Sequence, residues 1–387
     1  MNNIIFIISK PIDSRQFQTL GFETFDKKKW NIKIISFNLK KNFRSKIKVN
    51  HKKINRLNDF RSLFTDYKNS YFINISEVSF ISILINTILI FKKNIYVRLY
   101  INQIPTINIS YINKIHNIKK FLTKNIYNLK LLFNKIKFTL AKKLYQLSEK
   151  IFYLCGRSLI LYSGKLPHGI TKNSKNIMSV ATNDYLRVLK SSDYLKNKNS
   201  KYILYIDQNF EHHSDFKNDN KLITKKIFYE SLNNFFYLLE KFTKKKIIIA
   251  AHPKCTINSK RFNNRKIFFN KTLELSKNAH LILAHYSTAV NYACIFKKPI
   301  LFLYSNEMLE NKSSIVALIE EFANNFGSKL INIDTDNNKI NLKDLLLINK
   351  EKYKKYFKYY ISSTLKKQET FIKFIELVDN SKFKFNI

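Results

Sequence analysis

The stretch "AHLILAHYSTAVNYACIFKKPILFLY", residues 279–304, decides the fold. An apolar run ends on His285, Tyr286 and Ser287, a helical pattern follows from Thr288 to Phe296, and Pro299 opens a second apolar run. Continuous apolar runs of this length belong to strands covered on both faces, and such strands are parallel. A helix between two of them makes a βαβ unit. Upstream the pattern repeats as "KYILYIDQN" (201–209), a helix from about Lys221 to Thr243, "KIIIAAHPK" (246–254) and a helix at Lys271–Lys277. The amino-terminal part alternates in the same way, through "NIIFIIS" (3–9), a helical pattern from Asp13 to Lys29, "NIKIISFNL" (31–39), "YFINIS" (71–76), a helix from Val78 and "NIYVRLY" (94–100). The prediction is an α/β chain with two doubly wound domains.

Breakers place the boundary. "YSGKLPHGITKNSKN" (162–176) holds Gly164, Pro167 and Gly169 in a chain with only five glycines and five prolines. Its loosened pattern divides residues 1–165 from residues 166–348. The tail, 349–387, reads as basic helices, and residues 114–150 as a basic amphipathic helix or helix pair, suited to packing on its own domain or to lying on an anionic membrane.

Composition narrows the function classes. A 387-residue chain with 45% hydrophobic residues buries two ordinary cores and is not a disordered polymer. Three cysteines without a CxxC pair indicate neither a disulfide framework nor a thiolate zinc site, which fits a reducing cytosol. "MNNIIFIISKPIDS" lacks the basic leader and long apolar core of a signal peptide and reads as a first strand. The longest apolar run, Val78 to Phe91, falls short of the ~20 residues of a membrane span. Sixty-nine Lys and Arg against 27 Asp and Glu leave +42, a field that attracts phosphates, nucleic acids and anionic head groups alike. An AT-rich coding bias toward Lys, Asn and Ile accounts for part of it. With no nucleic-acid module and charge spread along the chain, nucleic acid is not the expected partner.

Three strand ends of the second domain close on polar groups: Asp207-Gln208, His252-Pro253 and His285 to Thr288. In a parallel sheet these ends share one edge. Proline holds the preceding residue extended, so His252 is presented at the lip of the sheet. Ser287 and Thr288 stand where a strand turns into a helix, and a hydroxyl there caps the helix beside free N–H groups that favour a phosphate. Each residue alone also reads as structural, a polar plug or a plain cap; their convergence on one edge points to a phosphate.

"AAHPK" followed by "LILAHYSTAVNYACIFKKPILFL" resembles the HP and Ser-Ser/Thr motifs of bacterial glycosyltransferases that use CMP-activated sugars, the sialyltransferase, polysialyltransferase and capsular Kdo transferase group. The resemblance covers about residues 200–307. It implies a GT-B architecture, two Rossmann-like domains facing across a cleft, with inverting transfer of a sugar such as sialic acid or Kdo. No metal or other cofactor is implied. His252 then contacts the donor phosphate and acts as acid for the departing nucleotide, with Pro253, Ser287 and Thr288 in the same phosphate site. Glu307 and Lys254 are nucleotide-side candidates, and Arg265 a further source of positive charge. The D/E-D/E-G motif that supplies the base in sialyltransferases is missing before Gly156. Glu77 and Asp207 are therefore the base candidates, with Asp13 behind them.

The implied partners are a CMP-activated sugar donor and a saccharide or lipid-linked oligosaccharide acceptor. The implied place is the cytoplasm, peripheral to the inner membrane, with capsule or lipopolysaccharide as product. The competing readings are a CDP-glycerol-type glycerophosphotransferase, a basic nucleic-acid-binding protein and a catalytically inactive scaffold.

Overall fold

The computed structural model describes residues 2–9, 20–25, 29–37, 50–54, 69–91, 94–105, 129–166, 176–191, 202–210, 222–252, 259–335, 342–363 and 370–379, together with Ile12, Phe17 and Asp59. Asp13, Pro253, Lys254 and residues 114–128 lie outside the described residues.

Two parallel sheets carry the chain. The first contains β1 (Asn2–Ile8), β2 (Trp30–Phe37), β3 (Asn50–Ile54), β4 (Tyr71–Asn74), β5 (Ile95–Tyr100), β6 (Ser158–Ser163) and β7 (Ile177–Val180), in the order β3-β2-β1-β4-β5-β6-β7. The second contains β8 (Tyr202–Ile206), β9 (Ile247–Ala251), β10 (Ile267–Phe269), β11 (Ala279–Ala284), β12 (Ile300–Tyr304) and β13 (Leu330–Asn332), in the order β10-β9-β8-β11-β12-β13. Ten helices accompany them among the described residues: α1 (Phe80–Phe91), α2 (Leu129–Leu154), α3 (Asn183–Lys190), α4 (Lys225–Thr243), α5 (Thr272–Asn278), α6 (Asn291–Ile295), α7 (Asn306–Phe326), α8 (Leu342–Leu345), α9 (Lys350–Tyr356) and α10 (Thr370–Asp379). This is the expected α/β architecture of two Rossmann-like sheets. Each winds outward in both directions from a switch point, between β1 and β4 in the first sheet and between β8 and β11 in the second.

The runs that read as buried strands are buried. Ile4 to Ile8 and Ile203 to Ile206 are almost wholly inaccessible, because helices cover both sheet faces. Three strands of the first sheet have no counterpart in the sequence pattern. Strand β3, "NHKKI", is an edge strand whose lysines suit an exposed margin. Strands β6 and β7 flank the breaker-rich segment, and they pair with each other. The first sheet therefore runs on to Val180, and a division between residues 165 and 166 falls inside it.

The crossing into the second domain follows at once. Thr182 caps α3, its Oγ1 accepting from Tyr185 N at 3.3 Å, and α3 buries Tyr185, Leu186 and Val188 in the second core. The tail stitches both domains. Helix α9 runs into a π-helical turn, Phe357–Ile361, and places Tyr353 and Tyr356 in the second core. Helix α10 returns to the first core with Phe371, Phe374 and Val378. Phe374 sits 5.5 Å from the Tyr71 ring, 5.6 Å from Trp30 and 6.3 Å from Phe25. At the joint, Lys165 N donates to Tyr359 O at 2.7 Å, and Gly164, at φ +69°, leaves no room for a Cβ against that same carbonyl.

Replacing the buried ring of Phe374 by alanine opens a cavity in this aromatic cluster and costs about 3–5 kcal/mol. Trp30 is the chain's single tryptophan and touches Phe374, so its fluorescence reports on this core. Chemical denaturation of Phe374→Ala followed by Trp30 emission shows a midpoint well below that of the parent; an unchanged midpoint contradicts the docking of α10.

Candidate active site

Ligands of doubly wound sheets sit outside the carboxyl ends of the strands at the switch point. In the second sheet the neighbouring ends there belong to β9, β8, β11 and β12. Along that edge, in order, stand His252, Asp207 with Gln208, Ser287 with Thr288, and Ser305 with Glu307.

The switch point is braced from inside. His285 follows β11 and is fully buried. Its Nδ1 lies 2.6 Å from Leu303 O on β12 and its Nε2 3.0 Å from Tyr205 Oη on β8. A carbonyl only accepts, so Nδ1 carries the hydrogen and Nε2 accepts from the tyrosine. Burial pushes the imidazole down to about 4, against which the carbonyl bond acts only partly. His285 is thus a neutral tie and not a group aimed at the edge. One residue on, Tyr286 N donates to Gln208 Oε1 at 3.0 Å, closing the gap between the ends of β8 and β11.

Asp207 is buried, and its Oδ1 accepts from Asn209 N at 3.0 Å, a turn that bends the chain away from β8. Ser287 is half-buried and its Oγ accepts from Ala289 N at 3.2 Å. The helix expected from Thr288 to Phe296 begins as a 3-10 turn, Thr288–Val290, and continues as the short α6, so its dipole is smaller than that of a full helix. His252 is half-buried at the end of β9, and β8 lies between it and the Ser287 turn. The two positions stand two strand spacings apart, roughly 10 Å along the edge. Glu307, in the first turn of α7, accepts from Thr224 N through Oε1 at 2.6 Å and so joins α7 to the start of α4. Arg265 lies away from this edge, paired with Glu240 at 2.8 Å.

In the first sheet, Glu77 follows β4 at the switch point, with an exposed side chain. Its N–H donates to the hydroxyl of Ser9, just past β1, at 2.8 Å. The bridge has the form of the Gln208–Tyr286 bridge: a side chain beyond one strand holds a backbone N–H beyond the other. Next to it Asn74 accepts from Ser76 N at 3.0 Å and donates to Asn86 Oδ1 at 2.9 Å. A cavity of about 190 Å³ opens here, lined among others by Asn74, Arg98, Tyr100, Tyr145 and Glu149. Arg98 pairs with Glu149 at 3.0 Å and hydrogen-bonds Tyr100, while Tyr96 Oη donates to Glu149 Oε1 at 2.9 Å. Gln208 stands at a polar strand end legible in the sequence, whereas the role of Ser9 and this cluster escaped the sequence reading. The strand "IYVRLY" carries its tyrosines and arginine at every second position, a one-faced polar signal inside an otherwise apolar run.

No protein-family model and no curated protein matches the chain. Among solved structures it is similar to the wall teichoic acid polymerase TagF, a variant soaked with CDPG, at TM-score 0.51 and 11% identity over 98% of this chain and 90% of that one. The glycosyltransferase of kitacinnamycin (TM-score 0.49, 11% identity, 98% and 99% coverage) and S. aureus MnaA with UDP (0.49, 11%, 98% and 97%) are also similar. The TagF likeness extends along the whole chain and establishes the fold as GT-B-like.

The His285 tie has a pH signature. Its folded value lies below the 6.5 of the unfolded chain, so below pH 6.5 protons bind the unfolded state first. The stability it contributes is full above pH 6.5, and as pH falls toward 4 it drops by about 1.4 kcal/mol per unit, about 3 kcal/mol in all. Unfolding measured from pH 7 to 4 shows this increment in the parent and not in His285→Gln; parallel pH curves for the two contradict it.

Proposed function

We propose that the chain is an inverting glycosyltransferase that moves a sugar such as sialic acid or Kdo from a CMP-activated donor to a saccharide or lipid-linked acceptor. It would work at the cytoplasmic face of the inner membrane, in capsule or lipopolysaccharide synthesis. The observation that carries this reading is the edge of the second sheet, where His252 and the Ser287–Thr288 turn flank the switch point of a parallel sheet.

On this reading the donor phosphate lies over the end of β8, between the imidazole of His252 and the hydroxyls of Ser287 and Thr288. In the sequence Pro253, a residue that favours an extended conformation before it, and Lys254, a source of charge, follow His252 directly. Glu307, tied to Thr224, stands one strand further along, on the nucleoside side. The acceptor hydroxyl gives its proton to Glu77, its oxygen bonds to the anomeric carbon, and the bond from that carbon to the phosphate oxygen breaks. His252 protonates or neutralises the departing phosphate. Glu77 suits the base better than Asp207: its side chain is exposed at the switch point of the acceptor-side sheet, whereas Asp207 is buried and holds its own turn. The cavity beside Arg98 and Glu149 has the size of one pyranose ring and is the place we assign to the acceptor sugar.

A CDP-glycerol-type transferase is the second reading, favoured by the fold likeness to a teichoic acid polymerase soaked with CDPG. Calorimetric titration separates the two: CMP binding with weaker CDP and UDP supports the first, preference for CDP the second, and no nucleotide binding removes both. His252→Ala is expected to lower turnover about 10²-fold or more. Glu77→Gln is expected to bind CMP like the parent and turn over poorly, because it touches the acceptor alone. Full activity of Glu77→Gln in a transfer assay takes the base role from it.

A further inference from the structure

We infer that the α1–α2 face of the first domain is a membrane-contact surface that seats on an anionic lipid bilayer. The inference rests on the membrane attachment proposed above and names the surface that makes it.

Helix α2 is mounted inside out. Ala141 and Ser148 are buried against the domain and Tyr145 and Glu149 half-buried beside them. The anchors are polar: Ser148 Oγ donates to Tyr145 O at 2.7 Å and receives Asn86 Nδ2 at 3.4 Å, and Glu149 holds Arg98 and Tyr96. An amphipathic helix of a water-soluble domain ordinarily turns its leucines to the core. Here Leu140, Leu144, Leu147, Ile151 and Leu154 recur at steps of four and three along one stripe facing solvent. With Ile136 and Phe138 they are 37–71% exposed. Phe80 and Leu84 of the adjoining α1 are exposed as well, and Lys137 Nζ lies 5.9 Å from the Phe80 ring. A continuous apolar surface of this extent marks a contact with something else.

Charge identifies the occupant. Lys137, Lys142, Lys143 and Lys150 are exposed on the same helix. Its one acid, Glu149, is committed to Arg98 and Tyr96. A second copy packed along the stripe would set lysines against lysines with no acid to answer them. Anionic head groups answer them directly, while the leucines enter the acyl boundary, the arrangement of an interfacial helix. No described helix is long and apolar enough to cross a membrane, so α2, about 39 Å long, lies on the surface. The Arg98–Glu149 cavity is then on the protein side of that helix, within about one helix diameter of the lipid.

The test is flotation of the full chain with phosphatidylcholine vesicles, with and without phosphatidylglycerol, at low and high salt. The parent is expected to float with the anionic vesicles only, and less at high salt. Lys143→Gln should bind about fivefold more weakly, and Leu147→Ser with Ile151→Ser about tenfold or more. All substituted positions are exposed, so the thermal midpoint and CMP titration should match the parent. Parent-like flotation of these variants overturns the assignment of this face and leaves membrane attachment standing. A parent that does not bind anionic vesicles overturns both. A concentration-dependent dimer in sedimentation equilibrium that the Leu147/Ile151 variant abolishes makes a second copy the occupant. CMP binding is read separately, so the donor-site reading stands or falls on its own.

Discussion

A neutral imidazole sealed in the second sheet sets the geometry of everything around it. His285 reaches β12 through Nδ1 and β8 through Nε2, so three adjacent strands end in register around one ring. The loops that leave those strands carry Asp207 and Gln208, Ser287 and Thr288, and Ser305 and Glu307. Protonating the ring would turn Nε2 into a donor facing Tyr205 and place a charge where no water reaches. Burial therefore holds the ring neutral. The stability that this tie contributes is full in neutral medium and falls as the medium turns acid.

Much of this was legible because parallel strands write themselves as unbroken apolar runs. Those of β1, β2, β4, β5, β8, β9, β11 and β12 stand out for that reason, and so do their polar ends. What escaped has a physical cause in each instance. "NHKKI" pairs on one side only and keeps its lysines at the margin, so β3 carries no apolar signal. Strand β7 is four residues long and follows a breaker-rich segment, which hid the true end of the first sheet at Val180. His285 and His252 look alike in sequence, each following an apolar run, yet the first is sealed and the second half-exposed. Only the neighbours, Tyr205 and Leu303, separate a tie from a lip residue, and they lie 80 and 18 positions away.

The tail shows why composition alone misleads about role. Residues 350–379 are lysine-rich and read as a basic appendage, but their aromatic residues decide the packing. Tyr353 and Tyr356 enter the second core and Phe371 and Phe374 the first, while Lys350, Lys352, Lys354, Lys355 and Lys358 face outward. The chain crosses between domains after Val180 and again before Thr370. Near these crossings it is joined by Thr182 N to Ile361 O at 3.0 Å and Lys373 Nζ to Ser179 O at 2.6 Å. The first core is therefore completed by a segment distant in sequence, Phe371 to Val378, whereas the second is drawn from residues 181–361.

Helix α2 reverses the same logic. Among its described side chains the lysines and leucines face out, and Ser148, with half-buried Tyr145 and Glu149, faces in. A polar interface holds a helix only where each group finds a partner, and here Asn86, Tyr96 and Arg98 supply those partners at fixed points on α1 and β5. The leucines are then released from packing duty while the helix stays rigidly placed. A surface that is apolar, cationic and immobile costs little ordering entropy when it meets a second phase. That combination, more than the total charge of +42, distinguishes a surface meant for a bilayer from a chain that is merely rich in lysine.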